Sequence, residues 1–374
     1  MYMNPIPFYS LQAQHQLIEQ EAKSIFSALY NDSRFILAER LKKFEEEFAG
    51  YTGGKYCIGV GNGLDALYIS LKILGVGRGD EVIVPGHTYI ATWLAVSRTG
   101  ALPVPVEADA NTWLIDVNKI EQAITSKTKA IVPVHLYGLV CDMNKLKAIA
   151  DKAHLKIVED NAQATGASFQ NKKTGTWGQC NAFSFYPTKT LGALGDGGAI
   201  VTDSQEYCQR ARSHRNYGST KQFVNEIKGV NSRLDEMQAA LLSAKLPHLD
   251  QWNEERKKIA TLYTEQLREV EGIEMPVVIN DTDPVYHLFP IKVEKNRDEV
   301  RAYLNSQGVE TSVHYPTPPH LQKAYEEINF KKGSFPIAEV LASHTLSLPI
   351  WPGLMPDDVS RICVEIKKGL SSIK

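Results

Sequence analysis

The sequence predicts an α/β protein with a large domain, built on a mostly parallel mixed sheet flanked by helices, and a smaller α+β domain at its C-terminal end. Short apolar runs alternate with helical segments from residue 56 to residue 202, which is typical of parallel strands joined by crossover helices. Near Pro247 this alternation gives way to one long charged helix. A chain of 374 residues is also longer than one ordinary domain requires.

Seven runs carry the strand pattern of the large domain. Each is short, apolar and rich in β-branched or aromatic residues. An N-terminal arm and two helices precede them, and the second helix is predicted over residues 41–51. The predicted strands are residues 56–60, 81–84, 102–106, 130–134, 155–159, 182–186 and 199–202.

The C-terminal part begins with the charged helix, predicted over residues 249–270. Strand-like segments follow near residues 286–293 and 345–348, and an amphipathic helix over residues 356–370 closes the chain. We therefore predict two domains, residues 1–247 with the N-terminal arm and residues 248–374. The sequence contains neither an internal repeat nor a flexible Gly/Ser linker, so the two domains are expected to pack closely.

Composition narrows the classes of partner. The 41 basic and 43 acidic residues are mixed along the chain, so no charged surface for nucleic acid or an anionic membrane stands out. The five cysteines are scattered without CxxC or Cys/His ligand spacing, which argues against a disulfide framework and against a metal site. No basic-then-apolar leader and no run of roughly 18 apolar residues is present. We expect a cytoplasmic protein whose partner is a small molecule.

Asp160 and Lys189 carry the strongest chemical signal. Each directly follows a predicted strand, and the carboxyl ends of parallel strands meet at one edge of a sheet, so the two side chains are expected to converge. An amine that condenses with an aldehyde, and a carboxylate that keeps a pyridine nitrogen protonated, are the two groups that pyridoxal phosphate requires. Either residue alone is more often a solvated loop lysine or a turn-forming aspartate.

The glycine-rich segment at residues 59–67 is a candidate phosphate site. It follows a strand and opens a helix, so free backbone N–H groups point at one spot. Gly61-x-Gly63-x-x-Ala66 also satisfies a dinucleotide-binding pattern, with Asp80 or Glu81 as the acid about 20 residues on. That alternative requires the acid at the end of the second strand, whereas these two residues precede or begin it. A purely structural turn is the other alternative.

Further motifs make the chain resemble a known family. Arg34-Phe35-Ile36-Leu37, Asn62-Gly63-Leu64-Asp65-Ala66-Leu67, Val134-His135-Leu136-Tyr137-Gly138, Glu159-Asp160-Asn161-Ala162-Gln163, Ser184-Phe185-Tyr186-Pro187-Thr188-Lys189 and Gly229-Val230-Asn231-Ser232-Arg233-Leu234-Asp235-Glu236 occur in order along nearly the whole chain. They resemble the PLP-dependent sugar aminotransferases of the DegT/StrS group, which have the aspartate-aminotransferase fold (fold type I). The resemblance implies pyridoxal 5'-phosphate as the cofactor.

The resemblance also implies roles for the cofactor-binding residues. Lys189 would be the Schiff-base lysine and Asp160 the partner of the pyridinium nitrogen. The other implied contacts are Gln163 to the phenolic oxygen, Tyr89 stacked on the ring, Ser184 to the phosphate, and the backbone amides of Gly63 and Leu64 to the same phosphate. Many relatives carry a hydroxyl residue at the position of Leu64, so one side-chain contact to the phosphate is expected to be absent here.

A second set of implied roles concerns the substrate and a neighbouring subunit. In the family, the counterpart of Asn231 reaches the phosphate from the partner of a homodimer. Arg233, His314 and Tyr315 match positions that face the sugar nucleotide across the same interface. The proline-rich segment from His314 to His320 offers imidazoles and a phenol suited to a pyrophosphate and a sugar, so His320 is a further substrate-binding candidate.

The resemblance finally implies a reaction. It is transfer of an amino group from L-glutamate to a nucleotide-linked 3-keto-6-deoxyhexose, with TDP as the expected nucleotide, in the biosynthesis of the deoxyamino sugars of lipopolysaccharides or other glycans. Lys189 favours transamination, because relatives that deoxygenate carry histidine there. A 4-keto sugar is an alternative substrate. Two alternatives of other classes are an NAD(P)-dependent nucleotide-sugar oxidoreductase and a non-catalytic PLP-binding regulator.

Overall fold

A seven-stranded sheet forms the centre of the computed structural model, which describes residues 4–373. The strands of the described residues are β1 (Tyr56–Val60), β2 (Glu81–Pro85), β3 (Leu102–Val106), β4 (Thr128–Ile131), β5 (Lys156–Asp160), β6 (Ser168–Phe169), β7 (Lys172–Lys173), β8 (Cys180–Ser184), β9 (Gly198–Thr202), β10 (Ser219–Lys221), β11 (Val224–Asn225), β12 (Ile273–Glu274), β13 (Thr282–Asp283), β14 (Phe289–Val293) and β15 (Thr345–Leu348). The α-helices of the same residues are α1 (Gln12–Leu17), α2 (Glu19–Asp32), α3 (Glu39–Thr52), α4 (Gly63–Ile73), α5 (Ile90–Thr99), α6 (Ile120–Ala123), α7 (Met143–Ala153), α8 (Gln205–His214), α9 (Glu236–Lys245), α10 (Leu249–Leu267), α11 (Arg297–Ser306), α12 (Pro336–His344) and α13 (Pro356–Ser372).

The central sheet is mixed but mostly parallel, as predicted. Its strand order is β1-β9-β8-β5-β4-β2-β3. All pairs from β8 to β3 are parallel, whereas β9 is antiparallel to both of its neighbours, β1 and β8. Because β9 is antiparallel to both β1 and β8, these two strands run in the same direction. The carboxyl ends of β1, β2, β4, β5 and β8 therefore meet at one edge of the sheet.

Two predicted strands end earlier than the apolar runs that indicated them. The run 182–186 lies in β8, which ends at Ser184, because its pairing with β9 ends there and the chain then turns, with Lys189 N–H donating to Tyr186 O over 2.8 Å. The run 130–134 lies in β4, which ends at Ile131. The rest of that run keeps looser pairing, since Val134 still forms a bridge with Asp160.

The sheet separates two hydrophobic clusters, which explains why its strands are apolar on both faces. Ile83, Ile131 and Ile157 point into one cluster with α7 and Trp113. Val82, Ala130 and Val158 alternate with them and point into the other cluster, against α4 and α5. A single-residue shift in register would exchange the two sets of side chains.

The C-terminal part has its own cluster. Strands β12, β14 and β15 form an antiparallel sheet, and α10, α11 and α13 pack with it around Tyr263, Ile291 and Leu346. Ile6 of the N-terminal arm joins this cluster, and its N–H donates to Gly308 O over 2.7 Å. The arm, predicted as part of the range 1–247, thus contacts the C-terminal part. The division at 247/248 stays a prediction, and residues 1–3 and 374 of the two ranges lie outside the described residues.

Within residues 4–373, no helix combines the length and the apolar character needed to span a bilayer.

Candidate active site

A cavity of about 580 Å³ opens at the edge of the sheet where the parallel strands end. Asp160 lies at the end of β5, Ser184 at the end of β8, and Gly63 and Tyr89 follow β1 and β2. The C-terminal part contributes one wall of the cavity. The predicted site residues that line it are Gly63, Leu64, Tyr89, Asp160, Gln163, Ser184, Lys189, His314 and Tyr315.

Asp160 is a buried carboxylate held by two donors. Its Oδ1 accepts a hydrogen bond from Ala162 N–H at 3.1 Å, and its Oδ2 accepts one from the Thr92 hydroxyl at 2.9 Å. Burial raises the pKa of Asp160, while these two hydrogen bonds and the charge of Lys189 act in the opposite direction. A carboxylate in such surroundings gains most from a cation placed against it.

Lys189 projects into the same cavity from the loop after β8. Among residues 4–373, its Nζ atom has neither a hydrogen-bond acceptor nor an ion-pair partner. Burial lowers the pKa of Lys189 to about 8, although Asp160 acts to raise it. A sizeable fraction of the amine is therefore neutral near physiological pH, and a neutral amine is the nucleophilic form.

The start of α4 provides free donors opposite Ser184. Asn62 caps the helix by accepting from Asp65 N–H at 2.8 Å, and the first backbone bond of the helix runs from Ala66 to Asn62 O. The N–H groups of Gly63 and Leu64 precede these bonds. A side chain on Gly63 would place its Cβ 2.7 Å from Ser184 Cβ, so glycine is needed for this close approach. Two N–H groups and one hydroxyl thus face a spot that suits a phosphate.

Gln163 connects the large domain to the segment 314–315. Its Oε1 accepts from Tyr137 N–H at 2.5 Å, and its Nε2 donates to the Tyr315 hydroxyl at 3.0 Å. The Tyr137 hydroxyl donates to His314 O at 2.8 Å and lies 2.7 Å from His87 Nε2, which we assign as the donor of that pair from the network. Together these bonds form a hydrogen-bond network of Gln163, Tyr137, His87 and the segment 314–315, which we call the latch.

The rings of the cavity wall are placed for contact with a flat ligand. The centroids of Tyr89 and Tyr315 lie 4.9 Å apart with an interplanar angle of 34°. Tyr89 is half-exposed towards the opening. Burial and the charge of Lys189 lower the pKa of His314 to about 4, so its imidazole is neutral at pH 7.

Three of the predicted residues do not line this cavity. Asn231 is exposed and pairs through its backbone with Asn216. Arg233 donates to Asn216 Oδ1 at 3.0 Å, and its guanidinium lies 5.6 Å from the Tyr217 ring centroid. His314 and Tyr315, which were expected to face a sugar nucleotide across a subunit interface, line the cavity of their own chain.

His320 is the third of these residues, and its substrate-binding role stays a prediction. It is buried, its Nε2 lies 3.0 Å from Glu339 Oε1, and its ring packs edge-on against Phe335 at 4.9 Å. His320 is not among the residues that line the cavity.

The dinucleotide alternative fails on geometry. Asp80 accepts from Gly77 N–H at 3.0 Å, and Glu81 accepts from the Thr125 hydroxyl at 2.5 Å. Both carboxylates lie at the amino end of β2, at the edge of the sheet opposite the cavity. Neither one can reach a ribose held at the start of α4.

Several residues in or behind the cavity wall were not identified from the sequence as site residues. Thr92, His287 and Asp196 line the cavity. Tyr137 and His87 lie behind its wall, where the Tyr137 hydroxyl bonds His314 O and His87 Nε2. The position of Thr92 in the sequence was an available signal. Thr92 lies three residues after Tyr89, so the two residues lie on the same side of the first turn of α5.

A sequence model of the DegT/DnrJ/EryC1/StrS aminotransferase family matches residues 16–367. The chain is 47% identical to the erythromycin biosynthesis sensory transduction protein EryC1 of Saccharopolyspora erythraea, over 97% of this chain and 99% of that protein. It is 46% identical to a dTDP-3-amino-3,4,6-trideoxy-alpha-D-glucose transaminase of Streptomyces venezuelae (97% and 96%). It is 48% identical to a dTDP-3-amino-3,6-dideoxy-alpha-D-galactopyranose transaminase of Aneurinibacillus thermoaerophilus (97% and 99%).

Solved structures of similar proteins have the same fold. The structure of S. venezuelae DesV in complex with a ketimine intermediate superposes with a TM-score of 0.95 at 46% identity, covering 98% of both chains. NtdA of Bacillus subtilis with bound cofactor PMP superposes with a TM-score of 0.91 at 31% identity, covering 99% of this chain and 86% of that one.

Proposed function

The chain belongs to the DegT/DnrJ/EryC1/StrS aminotransferase family, and from this premise we propose that it moves an amino group from L-glutamate to C3 of a dTDP-linked 3-keto-6-deoxyhexose. It is a PLP-dependent sugar aminotransferase. The observation that carries the proposal is the partner-free amine of Lys189 in one cavity with the buried carboxylate of Asp160.

The residues of the cavity fit pyridoxal phosphate. When bound, this cofactor supplies an aldehyde that takes up an amino group and a pyridinium ring that accepts electrons. Asp160 would hold the protonated ring nitrogen, because a buried carboxylate with only two donors is stabilised by a cation beside it. Gly63 N–H, Leu64 N–H and the Ser184 hydroxyl would hold the phosphate, and no side chain at position 64 adds to them.

Lys189 would move the proton in both halves of the reaction. Its pKa of about 8 makes the neutral amine accessible. In the first half this amine would accept the α-proton of the donor and pass it to the cofactor, and in the second half it would take that proton back and deliver it to the sugar carbon. Gln163 would orient the cofactor through its remaining amide hydrogen, since its other groups are fixed by Tyr137 and Tyr315. Tyr89 would cover the open face of the ring.

The nature of the sugar is inferred from the relatives. The S. venezuelae and A. thermoaerophilus transaminases are both named for dTDP-linked 3-amino deoxy sugars, and each is aligned over nearly its whole length with this chain. The partly polar wall formed by His314, Tyr315 and Asp196 suits the hydroxyl groups of a hexose. The regulatory name of EryC1 does not change the proposal, because Lys189 and Asp160 line one cavity here.

We further infer that the enzyme is a homodimer. Glu236 accepts from the backbone N–H groups of Ala38, Arg40 and Leu41, so the segments 35–41 and 229–236 lie side by side. Large apolar side chains are exposed there and nearby, namely Phe35, Ile36, Leu37, Tyr217 and Phe223. Such side chains suit a subunit interface. Asn231 and Arg233 lie outside their own cavity, which suits a role in that of the partner.

The five cysteines are free and buried, which supports the proposal of a reducing, cytoplasmic location.

The experiment is an assay of purified holoenzyme with L-glutamate and a dTDP-linked 3-keto-6-deoxyhexose. We expect stoichiometric 2-oxoglutarate and an amino group at C3, identified by NMR, and no turnover by Lys189→Ala. Amination of a 4-keto sugar in place of the 3-keto sugar would refute the position. Turnover that depends on NAD(P) and persists in Lys189→Ala would refute the class.

A further inference from the structure

A second, smaller cavity adjoins the first one. It has a volume of about 260 Å³. The two cavities share lining residues Tyr186, Thr188, His287, Leu288 and His314. Thr188 directly precedes Lys189, so the shared wall is next to the reactive amine. The N-terminal arm and the C-terminal part enclose the rest of the second cavity, through Phe8, Tyr9, Ser10, Leu11, Arg256, Ser312, Ile350 and Trp351.

Arg256 is the unusual residue of this cavity. It lies on α10 and is only 3% exposed. Its Nη1 donates to Ile350 O at 2.9 Å, whereas its Nε is buried without a hydrogen-bond partner. Among residues 4–373, no carboxylate lies within ion-pair distance of it. Burial lowers the pKa of Arg256 to about 10, which leaves the guanidinium charged at neutral pH.

His287 faces the same space and is also incompletely bonded. It is 7% exposed, and its Nδ1 is buried without a partner. Burial, followed by the charges of Lys189 and Arg256 and by His314, holds the pKa of His287 well below its usual value. The groups around it are therefore basic, and none of the described residues that line the second cavity is acidic.

A buried arginine without an anion is costly in free energy, and a missing ligand is the simplest explanation. We propose that Arg256 and His287 form the subsite for a carboxylate of the amino donor. The guanidinium would bind the carboxylate through its planar pair of N–H groups, and His287 would donate one further hydrogen bond. This inference rests on the proposed aminotransferase function and names the class of donor, an amino acid.

The dimensions of the two cavities favour an amino acid over a nucleotide sugar here. At about 260 Å³, the second cavity is smaller than the roughly 300–1,000 Å³ of sites that bury drug-sized ligands. The first cavity, at about 580 Å³, has room for the larger substrate. The shared wall beside Lys189 lets a donor place its amine in the first cavity while its carboxylate reaches Arg256.

The test separates the two half-reactions of the holoenzyme. Wild type, Arg256→Met and Arg256→Lys are mixed with L-glutamate alone, and the loss of cofactor absorbance in the aldehyde form is followed over a range of glutamate concentrations. The amine-loaded enzymes are then mixed with the keto sugar. Calorimetry with glutarate, a dicarboxylate that cannot donate an amine, measures binding without any reaction.

We expect Arg256→Met to raise the half-saturating glutamate concentration and the dissociation constant of glutarate by about 10- to 100-fold, the loss typical of a charge-assisted hydrogen bond. Arg256→Lys should give a smaller rise, because it keeps the charge but not the planar pair of donors. Half-saturation by the keto sugar should change less than about threefold. The matched control is Arg297→Met, since Arg297 is another buried arginine that donates to a backbone carbonyl, that of Thr345 at 2.7 Å, and it should alter neither substrate.

Unchanged saturation by glutamate and unchanged glutarate binding in Arg256→Met would overturn the inference. Equal weakening of the sugar and of glutamate would also overturn it, because Arg256 would then serve the pyrophosphate or the cavity as a whole. If Arg256→Met does not fold, Arg256→Lys and His287→Gln carry the same comparison. If wild type accepts no amine from any amino acid, the proposed function fails, and glutarate binding still decides on the subsite.

Discussion

The hydroxyl of Thr92 donates a hydrogen bond of 2.9 Å to Oδ2 of Asp160, and it does so from a residue 68 positions away in the chain. Thr92 lies in the first turn of α5, and its hydroxyl also lies 3.1 Å from the hydroxyl of Thr88. This contact helps to fix the orientation of the carboxylate. Asp160 is thus positioned by α5 as well as by its own strand.

Replacing Thr92 tests the importance of this contact. Thr92→Val keeps the shape but removes the donor, so the pKa of Asp160 should rise further and the carboxylate should hold a cation less well. We expect kcat/KM to fall by about 10-fold, within the range of one hydrogen bond to a charged group. Thr92→Ser should restore most of the activity. Thr99→Val on the same helix, whose hydroxyl donates to Val96 O at 2.7 Å, should leave kcat/KM within about twofold of wild type; an equal loss there would contradict the role of Thr92.

Loss of the charge of Asp160 should lower catalysis and leave stability nearly unchanged, whereas loss of the charge of its neighbour Glu159 should lower stability. Asp160→Asn removes the charge that faces the cavity, so we expect kcat to fall by at least about 1,000-fold while the unfolding temperature changes little. Both quantities are measured on one preparation by steady-state kinetics and thermal unfolding.

Glu159→Gln is the matched control, because Glu159 is fully buried on the other side of β5. Its carboxylate accepts from Gly175, Trp177 and Gly178 N–H at 2.6–3.0 Å and lies 3.1 Å from His135 Nε2. An amide would face those donors with N–H groups of its own, so we expect about 2–5 kcal/mol loss of stability. Unfolding of Asp160→Asn and stability of Glu159→Gln would reverse the assignment.

The low pKa of Lys189 predicts how stability depends on pH in the cofactor-free protein. The folded-state pKa of about 8 lies below the usual value of 10.5, so the unfolded chain binds more protons between those two pH values. The penalty for burying the charged amine is therefore complete below about pH 8 and disappears as the pH rises towards 10.5. We expect Lys189→Met to be more stable than wild type by about 1–3 kcal/mol at pH 7 and by much less at pH 10.

Urea unfolding of the apoprotein at the two pH values measures this difference. The control is Lys43→Met, which removes an exposed lysine and should change stability by less than about 0.5 kcal/mol at either pH. A stability gain of Lys189→Met that did not shrink between pH 7 and pH 10 would contradict a lowered pKa.

The fold followed from the sequence where a short apolar run was bounded by turn residues or helices. All seven strands of the central sheet were predicted, because each one contains such a run. Strands β6, β7, β10, β11, β12 and β13 were not, since a pair of two- or three-residue strands has no periodicity to detect. Their pairing depends on which loops the rest of the fold brings together.

Residue position alone indicated the parts of the site that stand beside the end of a strand. Asp160 and Lys189 satisfy that rule, which is local and visible in the sequence, whereas the roles of His314 and Tyr315 were implied by the family resemblance. Arg256 does not satisfy the rule, because it lies in Asn253-Glu254-Glu255-Arg256-Lys257-Lys258, a run that reads as the solvated face of a helix. Only the packing of α10 against Ile350 and Trp351 shows that one charge of this run is buried.

Tyr137 should fix the position of the cavity wall formed by His314 and Tyr315. Tyr137→Phe removes the donor to His314 O and leaves the buried His87 Nε2 without its partner. We expect stability to fall by about 1–3 kcal/mol and half-saturation by the sugar to rise by about 3- to 10-fold. Tyr325→Phe is the control, because the Tyr325 hydroxyl bonds the Ser97 hydroxyl over 3.2 Å and neither residue lines the cavity. This variant should change stability only. If the sugar saturated both variants equally, the latch would have no role in binding.

His320 distinguishes a structural histidine from a substrate ligand. Its Nε2 bonds Glu339, whose carboxylate also accepts from Gly333 N–H at 2.8 Å, so the pair fixes the loop that precedes α12. His320→Gln can still donate to Glu339 and should retain most of the stability, whereas His320→Leu removes one donor to Glu339 Oε1, which keeps its bonds from Gly333 and Phe335 N–H, and should cost about 1–3 kcal/mol. We expect both variants to keep the wild-type KM for the keto sugar, and His314→Leu, in the cavity wall, to raise that KM. A raised KM in His320→Gln, in a protein of wild-type stability, would show instead that this imidazole contacts the substrate.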